Sequence, residues 1–275
     1  MIRRARSMGG FTLVEAIVVI VITGVLGGVV AMFMRNSVEN YVDSAARGEM
    51  TDVADLALRR ISRELRLALP NSIVVSPDRR TLRFLITKTG GRYIDFNDSP
   101  PAALLPLDFN PATAALSFDM AGAAPVGRQA IRAGDFIAVF NIGVAPADAY
   151  SGGNIARVTA VNGTRITLAS NPFAAASPPM PSPTNRFQVV TGTVTYVCAP
   201  AAGGAGNLRR WSSPTIDNAP AGTPALLATM VSGCSFDYAV LANTNAALIG
   251  VSLALARSNG ENINLVRQVH VDNTP

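Results

Sequence analysis

Histidine is almost absent from this chain: there is one, His270, in 275 residues, together with two cysteines and one tryptophan. A serine–histidine–acid triad finds no support when the lone imidazole sits near the C-terminus in a segment of alternating polarity, where a surface or edge position is expected. Cys198, Cys234 and a distant His270 make a poor zinc set. G-x-S-x-G, H-E-x-x-H, the phosphate-cradling G-x-x-x-x-G-K-[ST] and the EF-hand pattern are all missing. Asp95, Asp98, Asp108 and Asp119 are scattered acids in loop-rich sequence; calcium is one reading, solvated turns the other. We expect no enzyme, cofactor or resident metal. Charged residues make up only 15% of the chain and the formal net charge is +5. Three of the arginines lie in the first ten residues, so the remainder is only slightly basic, and no nucleic-acid surface is expected. Arg209–Arg210–Trp211 is a local basic patch, read here as a capped hydrophobic corner on a sheet edge; stacking on nucleic acid requires more than one aromatic.

What the chain has is concentrated at its start. Arg3, Arg4 and Arg6 precede Gly9–Gly10, and a long apolar run follows, interrupted by a single acid, Glu15. A secretory signal places its small-residue cleavage site after the apolar core; here the glycines come before it. Cutting at the glycines removes the charges and leaves the hydrophobic segment on the mature protein. The uncharged stretch from Ala16 to Met34 is long enough to cross a bilayer as a helix. The basic residues ahead of it predict a cytoplasmic N-terminus with the bulk of the chain outside. A carboxylate within such a segment costs several kcal/mol unless paired, and so marks a function. Gly24 and Gly28 form a G-x-x-x-G pair that permits close helix approach, although membrane helices are commonly glycine-rich. A signal anchor of an envelope enzyme would not need Gly–Phe–Thr–Leu ahead of an acid, and a lipoprotein-like leader would need a following cysteine.

The segment GFTLVEAIVVIVITGVLGG resembles the type IV prepilin N-terminal motif. The resemblance implies cleavage between Gly10 and Phe11 by a prepilin peptidase, N-methylation of Phe11, and pairing of Glu15 with the N-terminal amine of a neighbouring subunit. A buried carboxylate and a buried ammonium are each costly alone, and joining them offsets much of that cost, so the pair would set register. The stretches RFQVVTGTVTYVCAP, NLRRW, MVSGCSFDY and LVRQVHVDNTP resemble minor pilin-like MshO proteins of mannose-sensitive haemagglutinin (MSHA) pili. They are more distantly similar to PilW and J-type minor pseudopilins of type II secretion. Residues from Ser76 to Phe173 have no such counterpart. The implied partners are other major and minor pilins, the prepilin peptidase, the pilus assembly platform and inner-membrane lipid. The implied location is the inner membrane with a periplasmic head, then the filament, near its tip. A tip adhesin, a DNA-binding minor pilin and a secretion pseudopilin are the alternatives.

Beyond Arg35, Val38, Val42, Ala46, Met50, Val53, Ala57, Ile61 and Leu65 recur at three- and four-residue steps, one apolar stripe on a charged helix. Arg59, Arg60, Arg63 and Arg66 suit a helix C-terminus, and Pro70 stops it. A single helix over Phe11–Leu69 would be about 90 Å long, with Gly48 a tolerated weak point. The expected organisation is a leader (1–10), a transmembrane or filament-core half (11–34), an amphipathic half (35–69) and a β-rich head with long loops (70–275). The fold class is α+β, a long, partly transmembrane N-terminal α-helix packed on a mostly antiparallel β-sheet head. Strands are expected at Ser72–Ser76, Thr81–Thr87, Phe136–Ile142, Ile155–Val161, Arg165–Ala169, Phe187–Val197, Cys234–Leu241, Ile249–Arg257 and Ile263–Val271. Gly90–Gly91, Gly152–Gly153 and Asn162–Gly163 read as turns, the last as a hairpin. Outside the inner membrane, Cys198 and Cys234 most simply form a disulfide; two buried thiols or a metal site are the alternatives.

Overall fold

A computed structural model describes residues 10, 12–240 and 246–275, with the backbone alone at 35–40 and 42. Helix α1 (Leu13–Leu65) is followed by β1 (Val74–Val75), β2 (Thr81–Tyr93), β3 (Ser117–Ala121), β4 (Phe136–Ala138), β5 (Ile155–Asn162), β6 (Arg165–Leu168) and β7 (Arg186–Ala199). Strands β8 (Gly206–Ser213), β9 (Ala225–Val240), β10 (Ala246–Ala256) and β11 (Asn262–Asp272) complete the head. A single turn, α2 (Pro172–Ala175), precedes β7. Two compact units divide the described chain after Glu49. The first contains the N-terminal part of α1, where every side chain from Leu13 to Met34 is exposed.

The second unit, residues 50–275, is the α+β head. Within it the helical stripe behaves as its spacing predicts: Met50, Ala57, Ile61 and Leu65 are buried, joined by Ala54 and Leu58. They pack on Leu82 and Phe84 of β2, Val194 and Tyr196 of β7, and Ile249, Val251 and Leu253 of β10. Each such large side chain removed from water contributes about 1.5–3 kcal/mol. Strand β10 alternates strictly, its odd-numbered residues Ala247 to Leu255 turned to the core. Asp55 ties the helix to the far edge of the sheet by accepting from Arg267 of β11 at 3.0 Å.

All strand pairings are antiparallel, and the long strands β2 and β7 each serve two structures. The first half of β2 and the last half of β7 lie in a sheet of order β1-β2-β7-β8-β9-β10-β11 under the helix. Their other halves pair with each other and, through β3, β6, β5 and β4, close a ring of six strands. This small barrel has its own core, including Tyr93, Phe118, Ile137, Val158, Ile166 and Phe187. The pairing of β2 with β7 slips at Ile86–Thr89, where the ribbon passes from sheet to barrel; such irregularities add bend and twist. Gly192 sits at that bend with φ 143°, and a Cβ there would overlap the Ser213 carbonyl oxygen.

Several boundaries differ from expectation, each for a physical reason. The helix ends at Leu65 rather than Leu69, because Leu69 N–H donates to Leu85 O and Thr87 N–H to Leu67 O, both at 2.8 Å; the sheet captures these groups before Pro70 is reached. Gly90–Gly91 is strand, not turn: the two glycines pair with Gln188 and Phe187. Strand β4 stops at Ala138, because Phe140 adopts φ 49° and Asn141 turns its side chain into the interior. Strands β3 and β8 lie in segments where no strand was expected. The Asn162–Gly163 hairpin is present, with Asn162 opposite Arg165.

Candidate functional site

The N-terminal site begins with a cap. Thr12 stands just before α1, and its hydroxyl oxygen accepts from Glu15 N–H at 3.3 Å while its carbonyl accepts from Ala16 N–H at 3.2 Å. A threonine followed three residues later by a glutamate is the pattern that satisfies the orphan amides of a helix start. Glu15 is therefore in the first turn, where the helix dipole favours a negative charge. Leu13–Met34, 22 residues, is long and apolar enough to span a bilayer, and none of its most apolar window is buried within the chain. Exposed apolar surface on this scale marks contact with lipid or with other protein. Thr23 satisfies its own hydroxyl within the helix, donating to Val19 O at 2.7 Å.

A second constellation, invisible in the pattern of the sequence, lies between helix and sheet. Glu64 is 8% exposed. Its carboxylate accepts from the Tyr196 hydroxyl at 2.7 Å, Arg210 Nε at 2.8 Å and Arg60 Nε at 3.2 Å. Burial pushes the Glu64 carboxyl up, but the Tyr196 hydroxyl and the Arg210 guanidinium more than offset this and hold it below its ordinary value. Burial, with the Glu64 charge beside it, drives the Tyr196 phenol well above the usual range. A third constellation locks the barrel to the sheet. Asn141 donates to Pro70 O at 2.6 Å, and its side-chain oxygen accepts from Asn154 Nδ2 at 3.2 Å and Ala149 N–H at 2.9 Å. Asn71 donates to both Asn141 O and Asn273 O, and Asn273 in turn donates to the Tyr238 hydroxyl. Helix exit, barrel and final strand thus meet in one amide network.

The family model for the prokaryotic N-terminal methylation motif matches residues 5–31. That match supports a type IV pilin-like protein. It spans Gly10, Phe11 and Glu15, and it implies association with pilin or pilus machinery. No curated protein and no solved structure matches the chain. Gly10 is exposed and Glu15 is placed as above, while Phe11 and the basic leader lie outside the described residues.

The other residues singled out in the sequence lie in the head. Cys198 of β7 and Cys234 of β9 form a disulfide, their Cα atoms 6.5 Å apart. His270 is exposed on β11, the last strand in the pairing order. The four aspartates do not converge, and among the described residues no group of three or more metal-ligating side chains comes together. Nor are all four solvated. Asp119 is buried against Arg165, at 2.8 Å, and Asp108 accepts from Asn110 N–H, Ala115 N–H and the Thr113 hydroxyl. Asp95 and Asp98 cap a short turn of 3-10 helix. The Arg209–Arg210–Trp211 patch is not at an edge: β8 lies between β7 and β9, and Arg210 is spent on Glu64.

Proposed function

We propose that this chain is a minor type IV pilin or pseudopilin, a structural rather than catalytic subunit that helps to initiate or cap a filament of the MSHA pilus type. Before assembly it is held in the inner membrane by residues 11–34 with its head in the periplasm; afterwards it sits near the filament tip. Prepilin peptidase cuts between Gly10 and Phe11 and methylates Phe11. Glu15 then pairs with the N-terminal amine of an adjoining subunit. The observation that carries this reading is the methylation motif running in register into a bilayer-length helix whose only acid is Glu15. The charge pair acts as a register device, because a mispaired subunit leaves a carboxylate unpartnered in apolar surroundings.

Mass analysis of the mature N-terminus tests the processing step: N-methylated Phe11 is expected, and an intact Gly10–Phe11 bond overturns the reading. Glu15→Val is expected to be cleaved and inserted normally yet to enter filaments poorly; wild-type incorporation overturns the pairing. A tip adhesin is the second reading, favoured by the barrel inserted between β2 and β7, a module that the helix-covered sheet does not need for its own core. Deleting the gene separates the two: lost filaments mean assembly, and filaments that no longer adhere mean recognition.

A further inference from the structure

Of the described strands, β1 and β11 stand at the two ends of the pairing order, and the ends differ. Strand β1 is two residues long, and the turn after it is tied back to the sheet, Arg79 O accepting from Phe236 N–H at 2.9 Å. Strand β11 pairs with β10 along all 11 of its residues, Asn262–Asp272, with no slip in register. On its other side no strand lies among the described residues. An antiparallel strand turns the N–H and C=O of alternate residues to either side, so β11 presents a row of open donors and acceptors.

Natural sheets blunt such an edge with brevity, proline, a bulge, lysine or an inward-pointing charge. Strand β11 is long and unbulged, and it contains neither proline nor lysine. Its one inward charge, Arg267, is neutralised by Asp55 at 3.0 Å. On the helix side Ile263 and Leu265 are only half-buried against the core. On the opposite face Val266 is 66% exposed.

The edge selects a second copy of the chain as its occupant. Between two copies β1 is too short to be the added strand, and the barrel strands are each paired on both sides. That leaves β11 against β11 about a two-fold axis, an isologous contact that closes on itself. Charge then sets the register. Centring on Arg267 would place it opposite its own copy, where like charges repel. Centring on Val266 sets that exposed side chain against itself and Arg267 against Leu265 of the second copy. We propose that two copies join β11 to β11, antiparallel over Asn262–His270 and centred on Val266, to make one sheet that runs through both heads. The pairing uses the head alone and stands apart from the N-terminal motif.

Analytical ultracentrifugation of the full chain in non-ionic detergent micelles, with the mass followed over a range of concentrations, tests it. A reversible dimer is expected. Val266→Cys supplies a thiol to a chain whose own cysteines are bonded to each other, and it should cross-link the dimer on oxidation. Val266→Lys, an exposed exchange that opposes two like charges, should weaken the dimer about tenfold. Val266→Glu should do the same, and a mixture of the two variants should recover the association. Leu56→Lys, on the exposed side of α1, should leave it unchanged. A monomer at every concentration overturns the proposal. So does a Val266→Lys chain that dimerises as the wild type does, which would place the contact on the apolar helix. Failure of oxidised Val266→Cys to cross-link, or of the mixed variants to associate, overturns it equally.

Discussion

At the scale of single residues, Glu64 carries more of the head than its neighbours suggest. It stands between Arg63 and Leu65, beside the apolar stripe, in a run of arginines that reads as a solvated last turn. Tertiary contact decides otherwise: Tyr196 and Arg210 reach it from β7 and β8. Its folded-state pKa lies below the ordinary value of 4.5, so the folded head binds this proton less readily than the unfolded chain. The resulting stabilisation is fully present above the unfolded value and is lost as pH falls through the folded one. Glu64→Gln should therefore flatten part of the acid limb of a thermal-melt series. Asp108 and Asp119, also held low against the upward push of burial, would keep the rest. Near neutral pH the same variant should cost roughly 2–4 kcal/mol, because Arg210 is left buried without its carboxylate. An acid limb identical to wild type would show that Glu64 does not titrate as argued.

At the scale of elements, the strands legible in the sequence are those whose burial alternates, such as β10 and β11, and those bounded by a true turn, such as β5 and β6. What failed was local reading of residues whose environment is distant. Gly90–Gly91 has the composition of a turn, yet it lies in β2 because the Phe187 ring and the Gln188 side chain occupy the space above it. Arg209–Arg210–Trp211 reads as an edge because nothing local reveals that β9 lies beyond β8 or that Glu64 lies beneath. The amide network of Asn71, Asn141, Asn154 and Asn273 was equally hidden: asparagine in loops signals turns, not a junction. The N-terminal motif was legible because its residues stand close together along the chain. The cysteines were legible as a pair, and their separation of 36 residues carries an energetic consequence. Closing a loop of that size stabilises by about 3–4 kcal/mol in the loop-entropy account. The Cys198→Ala/Cys234→Ala double variant should melt several degrees lower than the oxidised protein and lose its sensitivity to reductant. A wild-type melting temperature would mean that the bridge contributes nothing to folding.

At the scale of the whole head, two cores share no residue. The helix-on-sheet core and the barrel core are joined by β2 and β7 and by a small cluster that includes Leu69, Leu85, Ala138 and Val190. Because Ile86 lies opposite Gly192, the ribbon can be closed there. Replacing residues 88–190 by an Asn-Gly turn would leave the sheet as β1-β2-β7-β8-β9-β10-β11 with its helix and its disulfide. Leu69 and Leu85 would lose their barrel neighbours, a loss of roughly 2–4 kcal/mol, which the remaining core should tolerate. On the proposed function, the shortened chain is expected to keep the Cys198–Cys234 bridge, insert in the membrane and join filaments. Hydrogen exchange on the intact chain provides the parallel measurement: Phe118, Val158 and Ile166 should exchange together, at a free energy different from that of Tyr196, Val251 and Leu253. If all six amides exchange as one unit and the shortened chain cannot enter filaments, the barrel is an integral part of the assembling head, and the division of labour between a sheet that builds and a barrel that binds is wrong.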